Sequence, residues 1–281
     1  MKTFFINEQN AENYAAEMAA WIKEKVASAH RNGVVVGMSG GIDCSVVARL
    51  CQLGGVDVLL VLMPYGDDMK DTHSSDHAIE LIKKYNFSYH VFNIQPAVDA
   101  LSIPEDLLFN HSGISHVLPV DGASTLPEDS QSYRRNVINI ELSRANIRPR
   151  MRMIYLYQLA QLNNYFVIGT SNLSERTVGY FTKWGDGVSD LNPLAKLTKQ
   201  EVYTLARYLE VPDCIIEKKP SAGLWNGQTD EAELGMTYAQ IDAFIIDGAS
   251  GNPEIDRKIE ERIAMSAHKH APIPIFTSKS S

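Results

Sequence analysis

The sequence predicts an α/β fold: a parallel sheet flanked by helices on both faces. Three observations carry this. Four short runs are apolar over most of their length, "GVVVGM", "VDVLLVLMP", "FSYHVFNI" and "YFVIGTSN". Segments with helical periodicity lie between them. A glycine-rich turn, "SGG", joins the first run to the helix that follows. Strands apolar on both sides need cover on both sides, and their alternation with helices is the pattern of a crossover-connected parallel sheet.

Taken in order, "AENYAAEMAAWIKEKVASAHRNG" has helical spacing, with Gly33 as its expected stop. "GVVVGM" is the first strand and "DCSVVARLCQLG" the helix after the turn. "VDVLLVLMP" is a second buried strand closed by Pro64. "THSSDHAIELIKKYN" is an amphipathic helix, and "FSYHVFNI" the third strand. Residues 102–130, with Pro104, Pro119 and Pro127, form a loop, a lid or an insertion. "ANIRPRMRMIYLYQLAQLNN" is mainly helical past Pro149, and "YFVIGTSN" is a fourth strand ending in polar residues. Two helices follow, "TKQEVYTLARYLE" and "NPEIDRKIEERIAMSA", separated by the polar "KKPSAGLWNGQTDEAELG". No linker interrupts the chain, so residues 1–281 read as one domain with C-terminal elaborations.

With 44% hydrophobic and 21% charged residues, the chain has the composition of a globular protein with a large core. The net charge of −8 argues against a nucleic-acid partner, which calls for a basic footprint. No stretch nears the roughly 18 apolar residues of a membrane helix. The N-terminus lacks the apolar core of a secretory signal. Cys44, Cys51 and Cys214 show no zinc-type spacing and read as free thiols. A cytoplasmic location is expected.

A strand, glycine turn and helix in succession direct free backbone N–H groups and the positive end of a helix toward one point, which makes an anion site. Residues 37–45, "GMSGGIDCS", lack the lysine of a Walker loop and the spacing of a dinucleotide fingerprint. Asp43 is unfavourable beside phosphate unless a cation lies between them. It is therefore either a magnesium ligand or a helix cap.

"SGGIDC" resembles the SGGxDS pyrophosphate loop of the N-type ATP pyrophosphatases, with Cys44 in place of the last serine. Downstream, "RPRM", "GTSNLSE", "GYFTKWGD", "DLNPL" and "LTK" appear in the order found in NAD synthetases. "KKPSAGL", "QTDEAELG" and the pair His268 and Lys269 also match. The chain is similar to that family from about residue 11 to 276.

The resemblance implies an adenine nucleotide alpha-hydrolase-like, Rossmann-like fold. It also implies a ligase that amidates nicotinic acid adenine dinucleotide (deamido-NAD) with ammonia, converting ATP to AMP and pyrophosphate. It gives ATP to Gly37, Met38, Ser39, Gly40, Gly41, Ile42, Asp43, Cys44, Ser45, Thr170, Lys199 and Ser221. It gives Mg²⁺ to Asp43 and Glu175, and the deamido dinucleotide to Arg150, Lys183, Asp190, His268 and Lys269. Asp43, Glu175 and Lys199 are the expected catalytic groups. A homodimer is implied, and there is no room for a glutaminase domain before the loop. The alternatives are another ligase on the same loop, such as a GMP synthetase-like enzyme, and a non-catalytic nucleotide-binding module. The latter would need the loop but not Glu175, Lys183 and Lys199 together.

Overall fold

The computed structural model describes residues 5–66, 73–101, 131–220 and 229–277, with only the backbone at 73–75 and 131–141. The stretch 107–124, to which the sequence assigns no role, lies outside the described residues. In chain order the elements are α1 (Ala11–Ser28), β1 (Gly33–Met38), α2 (Ile42–Leu53), β2 (Asp57–Leu62), α3 (His73–Tyr85), β3 (Ser88–Val91), α4 (Gln95–Asp99) and α5 (Gln131–Asn163). They continue with β4 (Tyr165–Val167), α6 (Leu173–Thr177), α7 (Lys199–Tyr208), α8 (Asp213–Ile216), α9 (Asp230–Leu234), α10 (Tyr238–Asp247) and α11 (Pro253–His270).

The four strands form one sheet in the order β3-β2-β1-β4, and every pairing is parallel. Strand alternation sends successive side chains to opposite faces. Val34, Val36, Leu60 and Leu62 pack with α1, α2, α3 and α7 through residues such as Ile22, Leu50, Leu81 and Leu205. Val35, Val61, Met63 and Val167 pack with α4 and α5. Both faces are thus covered, as the continuous apolar runs require. A third cluster, Val178, Leu234, Tyr238, Ile241, Ile255 and Ile259, ties α9, α10 and α11 to the chain just after α6.

Several boundaries differ from the sequence expectation for physical reasons. The first helix ends at Ser28, and His30 takes the left-handed turn at φ 53°. Gly33 instead opens β1, where a Cβ would lie 2.4 Å from the Asp57 carbonyl oxygen. The β3 run is an edge strand with exposed side chains, Tyr89 and Val91 among them; burial begins at the flanking Phe87 and Ile94. The long helix α5 starts at Gln131 and passes through Pro149 without ending there. Between the two expected C-terminal helices lies α10, opened by Thr237 and Gln240 and closed by Gly248 at φ 82°.

Leu60 is fully buried in an inner strand, whereas Leu162 is 75% exposed on α5. Leu60→Ala should destabilise the fold by about 2–5 kcal/mol, whereas Leu162→Ala should stay within about 0.5 kcal/mol. Urea unfolding of the two variants measures the difference.

Candidate active site

The glycine turn leaves the carboxyl end of β1, where ligands bind in open parallel sheets. Gly37 faces α5, and a Cβ there would meet Leu156 at 3.3 Å and Met63 at 3.4 Å. Gly40 adopts φ 69°, a conformation that suits glycine. The Ser39 hydroxyl accepts from the Gly41 N–H at 3.3 Å. The Gly41 carbonyl accepts from the Ser45 hydroxyl at 2.7 Å and from the Cys44 thiol at 3.2 Å. Both side chains are buried within the turn. Their polar atoms brace the loop, and what the loop offers outward is backbone N–H and the N-terminus of α2.

Asp43, in the first turn of α2, is held at both oxygens. Asn172 Nδ2 donates to Oδ1 at 2.9 Å, and Lys199 Nζ donates to Oδ2 at 2.6 Å. Asn172 and Glu175 bracket the start of α6 as a capping box: the Asn172 side chain accepts from the Glu175 N–H, and the Glu175 carboxylate accepts from the Asn172 N–H. The other Glu175 oxygen lies 3.3 Å from Lys199 Nζ. Lys199 itself opens α7 and is 3% exposed. Its ammonium sits between two carboxylates supplied by α2 and α6, with the Tyr238 ring centroid 4.9 Å away.

The charges respond to this enclosure. The Glu175 carboxyl is raised to about 7, first by burial and also by the Asp43 and Asp230 charges, against the lowering by the Lys199 charge and the Asn172 N–H. Burial disfavours the Lys199 ammonium, but Asp43 and Glu175 outweigh that and raise its pKa. The Tyr238 phenol is also raised, first by burial and then by Glu175 and Asp230, so it remains a neutral donor.

Among the described residues, no three His, Cys, Asp or Glu side chains group as a metal cage. Two carboxylates converging on a cation are nevertheless a hard-oxygen set suited to Mg²⁺, which is often held by one or two carboxylates with substrate phosphates and water completing the shell. The Lys199 ammonium marks where this site accepts positive charge.

The second set of expected residues gathers around the loop after α6. Lys183 Nζ donates to the His268 carbonyl at 2.7 Å, and an Arg150 guanidinium nitrogen is 3.4 Å from the Lys183 carbonyl. Lys269 Nζ donates to the carbonyls of Gly179 and Phe181 at 2.6 and 2.7 Å. Asp190 is placed by other contacts: it accepts from the Val167 N–H at 2.8 Å and lies 3.4 Å from the Tyr157 hydroxyl. A cavity of about 570 Å³ opens beside His268 and Lys269, lined also by Gly179, Arg262 and Ser266. Thr170 lies half-buried just past β4, and Ser221 lies outside the described residues.

Sequence reasoning quoted but did not select Asn172 and Ser174, and missed Tyr238 and Asp242. The spacing of Asn172 and Glu175, N-cap and third helical residue, was a readable signal. Asp242 carried none, because its partners are far away in the chain.

Known proteins resemble this chain in sequence and fold. The NAD synthase family matches residues 14–273. The NH(3)-dependent NAD(+) synthetase of Syntrophomonas wolfei is 36% identical over 271 residues, 96% of each chain. The solved NMN synthetase of Francisella tularensis is similar with a TM-score of 0.75 and 33% identity, over 95% of this chain and 99% of that one. The NH3-dependent NAD synthetase of Campylobacter jejuni follows at 0.71 and 27%, over 97% and 100%. With a glycine loop, paired carboxylates and near full-length similarity in hand, the chain belongs to the NAD synthase family.

Proposed function

We propose that this chain is an ammonia-dependent ligase that converts deamido-NAD to NAD, with ATP cleaved to AMP and pyrophosphate, and that residues 1–281 work as one unit. The observation that carries the reading is the Lys199 ammonium lying within 3.3 Å of both Asp43 and Glu175 beside the glycine loop. A nicotinate carboxylate resists nucleophiles because attack adds electron density to an anion. Transfer of AMP to a carboxylate oxygen forms a mixed anhydride, with pyrophosphate leaving. Ammonia then attacks the carbonyl carbon, AMP departs, and the amide remains.

In the first step negative charge grows on the departing pyrophosphate. The N–H groups of Ile42, Asp43 and Cys44 at the N-terminus of α2, together with Lys199, are the donors for it. Asp43 and Glu175 would hold Mg²⁺, which supplies Lewis-acid neutralisation of the phosphate charge. Thr170 and Ser221 would add contacts to ATP. Arg150, Lys183, Asp190, His268 and Lys269 would orient the dinucleotide so that its carboxylate meets the α-phosphate. A cytoplasmic homodimer is the expected working form.

A second reading follows from the Francisella tularensis neighbour, an NMN synthetase. The acceptor would then be nicotinic acid mononucleotide, with the same carboxylate chemistry and no second nucleotide to bind. Presenting both acceptors with ATP, Mg²⁺ and ammonium decides between them: NAD should form with the higher kcat/KM, and preferential amidation of the mononucleotide would replace the first reading.

Three outcomes are expected. Chelation with EDTA should stop AMP and pyrophosphate release, and added Mg²⁺ should restore it. Asp43→Asn should lose about 10²–10³-fold in kcat with little change in Tm, since it removes one preorganised group from a developing charge. The third concerns pH. Folding raises the Glu175 pKa from 4.5 to about 7, so its contribution to stability is full below about 4.5 and lost as pH rises through about 7. Glu175→Gln, which resembles the protonated acid, should therefore raise the ligand-free Tm at pH 8 much more than at pH 5, while abolishing turnover.

A further inference from the structure

The polar side chains that α10 sends inward end beside Lys199 and Glu175: Asp242 on their chain neighbours Gln200 and Ser174, and Tyr238 next to the two side chains themselves. Thr198 N-caps α7 in a capping box with Glu201, whose carboxylate accepts from the Thr198 N–H and hydroxyl, each at 2.8 Å. The first free N–H groups of α7 find their acceptors elsewhere. The Gln200 N–H donates to Asp242 Oδ2 at 2.9 Å, and the Lys199 N–H donates to the Ser174 hydroxyl at 2.9 Å. That hydroxyl in turn donates to Asp242 Oδ1 by a short hydrogen bond. Asp242 is 5% exposed. A buried carboxylate from α10 thus caps α7 from outside and, through Ser174, grips the residue next to Glu175.

One turn earlier on α10, Tyr238 acts on the side chains. Its hydroxyl donates to Asp230 at 3.0 Å and lies 3.5 Å from Glu175 Oε1, while its ring flanks the Lys199 ammonium. The Tyr180 hydroxyl lies between Glu233 at 2.8 Å and Asp230 at 3.2 Å.

We propose that Asp242 and Tyr238 are positioning residues for adenylation: Asp242 sets the backbone from which Lys199 projects, and Tyr238 fixes the lysine and Glu175 side chains relative to each other. Neither residue needs to touch substrate. A residue held only for stability would change how much enzyme is folded, whereas a positioning residue changes what each folded molecule does.

The inference rests on the proposed ligase activity, and the test separates the two. Parent, Asp242→Asn, Asp242→Ala and Tyr238→Phe are compared by Tm, by kcat and KM for each substrate, by the Mg²⁺ concentration for half-maximal rate, and by the Tm gain on adding ATP with Mg²⁺. Tyr238→Phe keeps the ring and should keep its Tm within a few degrees. Its half-maximal Mg²⁺ should rise several-fold and its kcat fall about 10-fold, with KM for the nicotinate substrate unchanged. Asp242→Ala should lose more than 10-fold in kcat per folded molecule, and Asp242→Asn, which retains an acceptor, should recover part of it. The nucleotide-induced Tm gain should shrink in all three. If kcat per folded molecule and the nucleotide-induced gain match the parent in Tyr238→Phe and Asp242→Asn, the inference is wrong. A parent that binds ATP with Mg²⁺ but never turns over would reject the ligase reading instead, and the Tm gain would still judge the positioning role.

Discussion

A single buried ammonium organises this molecule's chemistry. Two carboxylates brought together in a half-dry pocket would repel each other and force one to stay protonated. Lys199 removes that conflict by standing between them, and each partner arrives from a different element: Asp43 from the helix after the glycine turn, Glu175 from a one-turn helix after β4, Lys199 from the start of α7. The sheet order places β4 beside β1, so the residues that follow these strands meet at one end. The geometry of the sheet and the electrostatics of the pocket thus constrain the same point.

The compensation is incomplete, and this has a chemical use. Glu175 remains far above the ordinary carboxylate range even with the ammonium beside it. Burial is the main cause, and the Asp43 and Asp230 charges add to it. A buried carboxyl held this far from its ordinary range is a common feature of sites tuned for function rather than for stability.

Much of this was legible before any coordinates. The residues "VVVGMSGGID" carry a buried strand, a turn that needs glycine and a helix start in sequence, and all three are local signals. Asp43, Glu175 and Lys199 could be chosen because each follows directly on such a signal or sits in a recognisable block. What escaped was long-range. Asp242 lies in "YAQIDAFIID", a segment whose capping residues Thr237 and Gln240 were present but unread. Even a correct helix there would not have told which N-terminus its carboxylate reaches, since that depends on how α10 leans against α7. The loop around Lys183 was legible as the block "GYFTKWGD", but its seat on α5 was not: a Cβ at Gly185 would lie 3.2 Å from the backbone at Pro149, a contact that spacing cannot encode.

The distribution of the centre along the chain bears on its birth. The glycine turn leaves the ribosome well before α10 and the helix carrying His268 and Lys269, which lie far behind it in the chain. A nascent polypeptide therefore owns the glycine turn and Asp43 long before it owns the helix whose Tyr238 ring flanks the Lys199 ammonium.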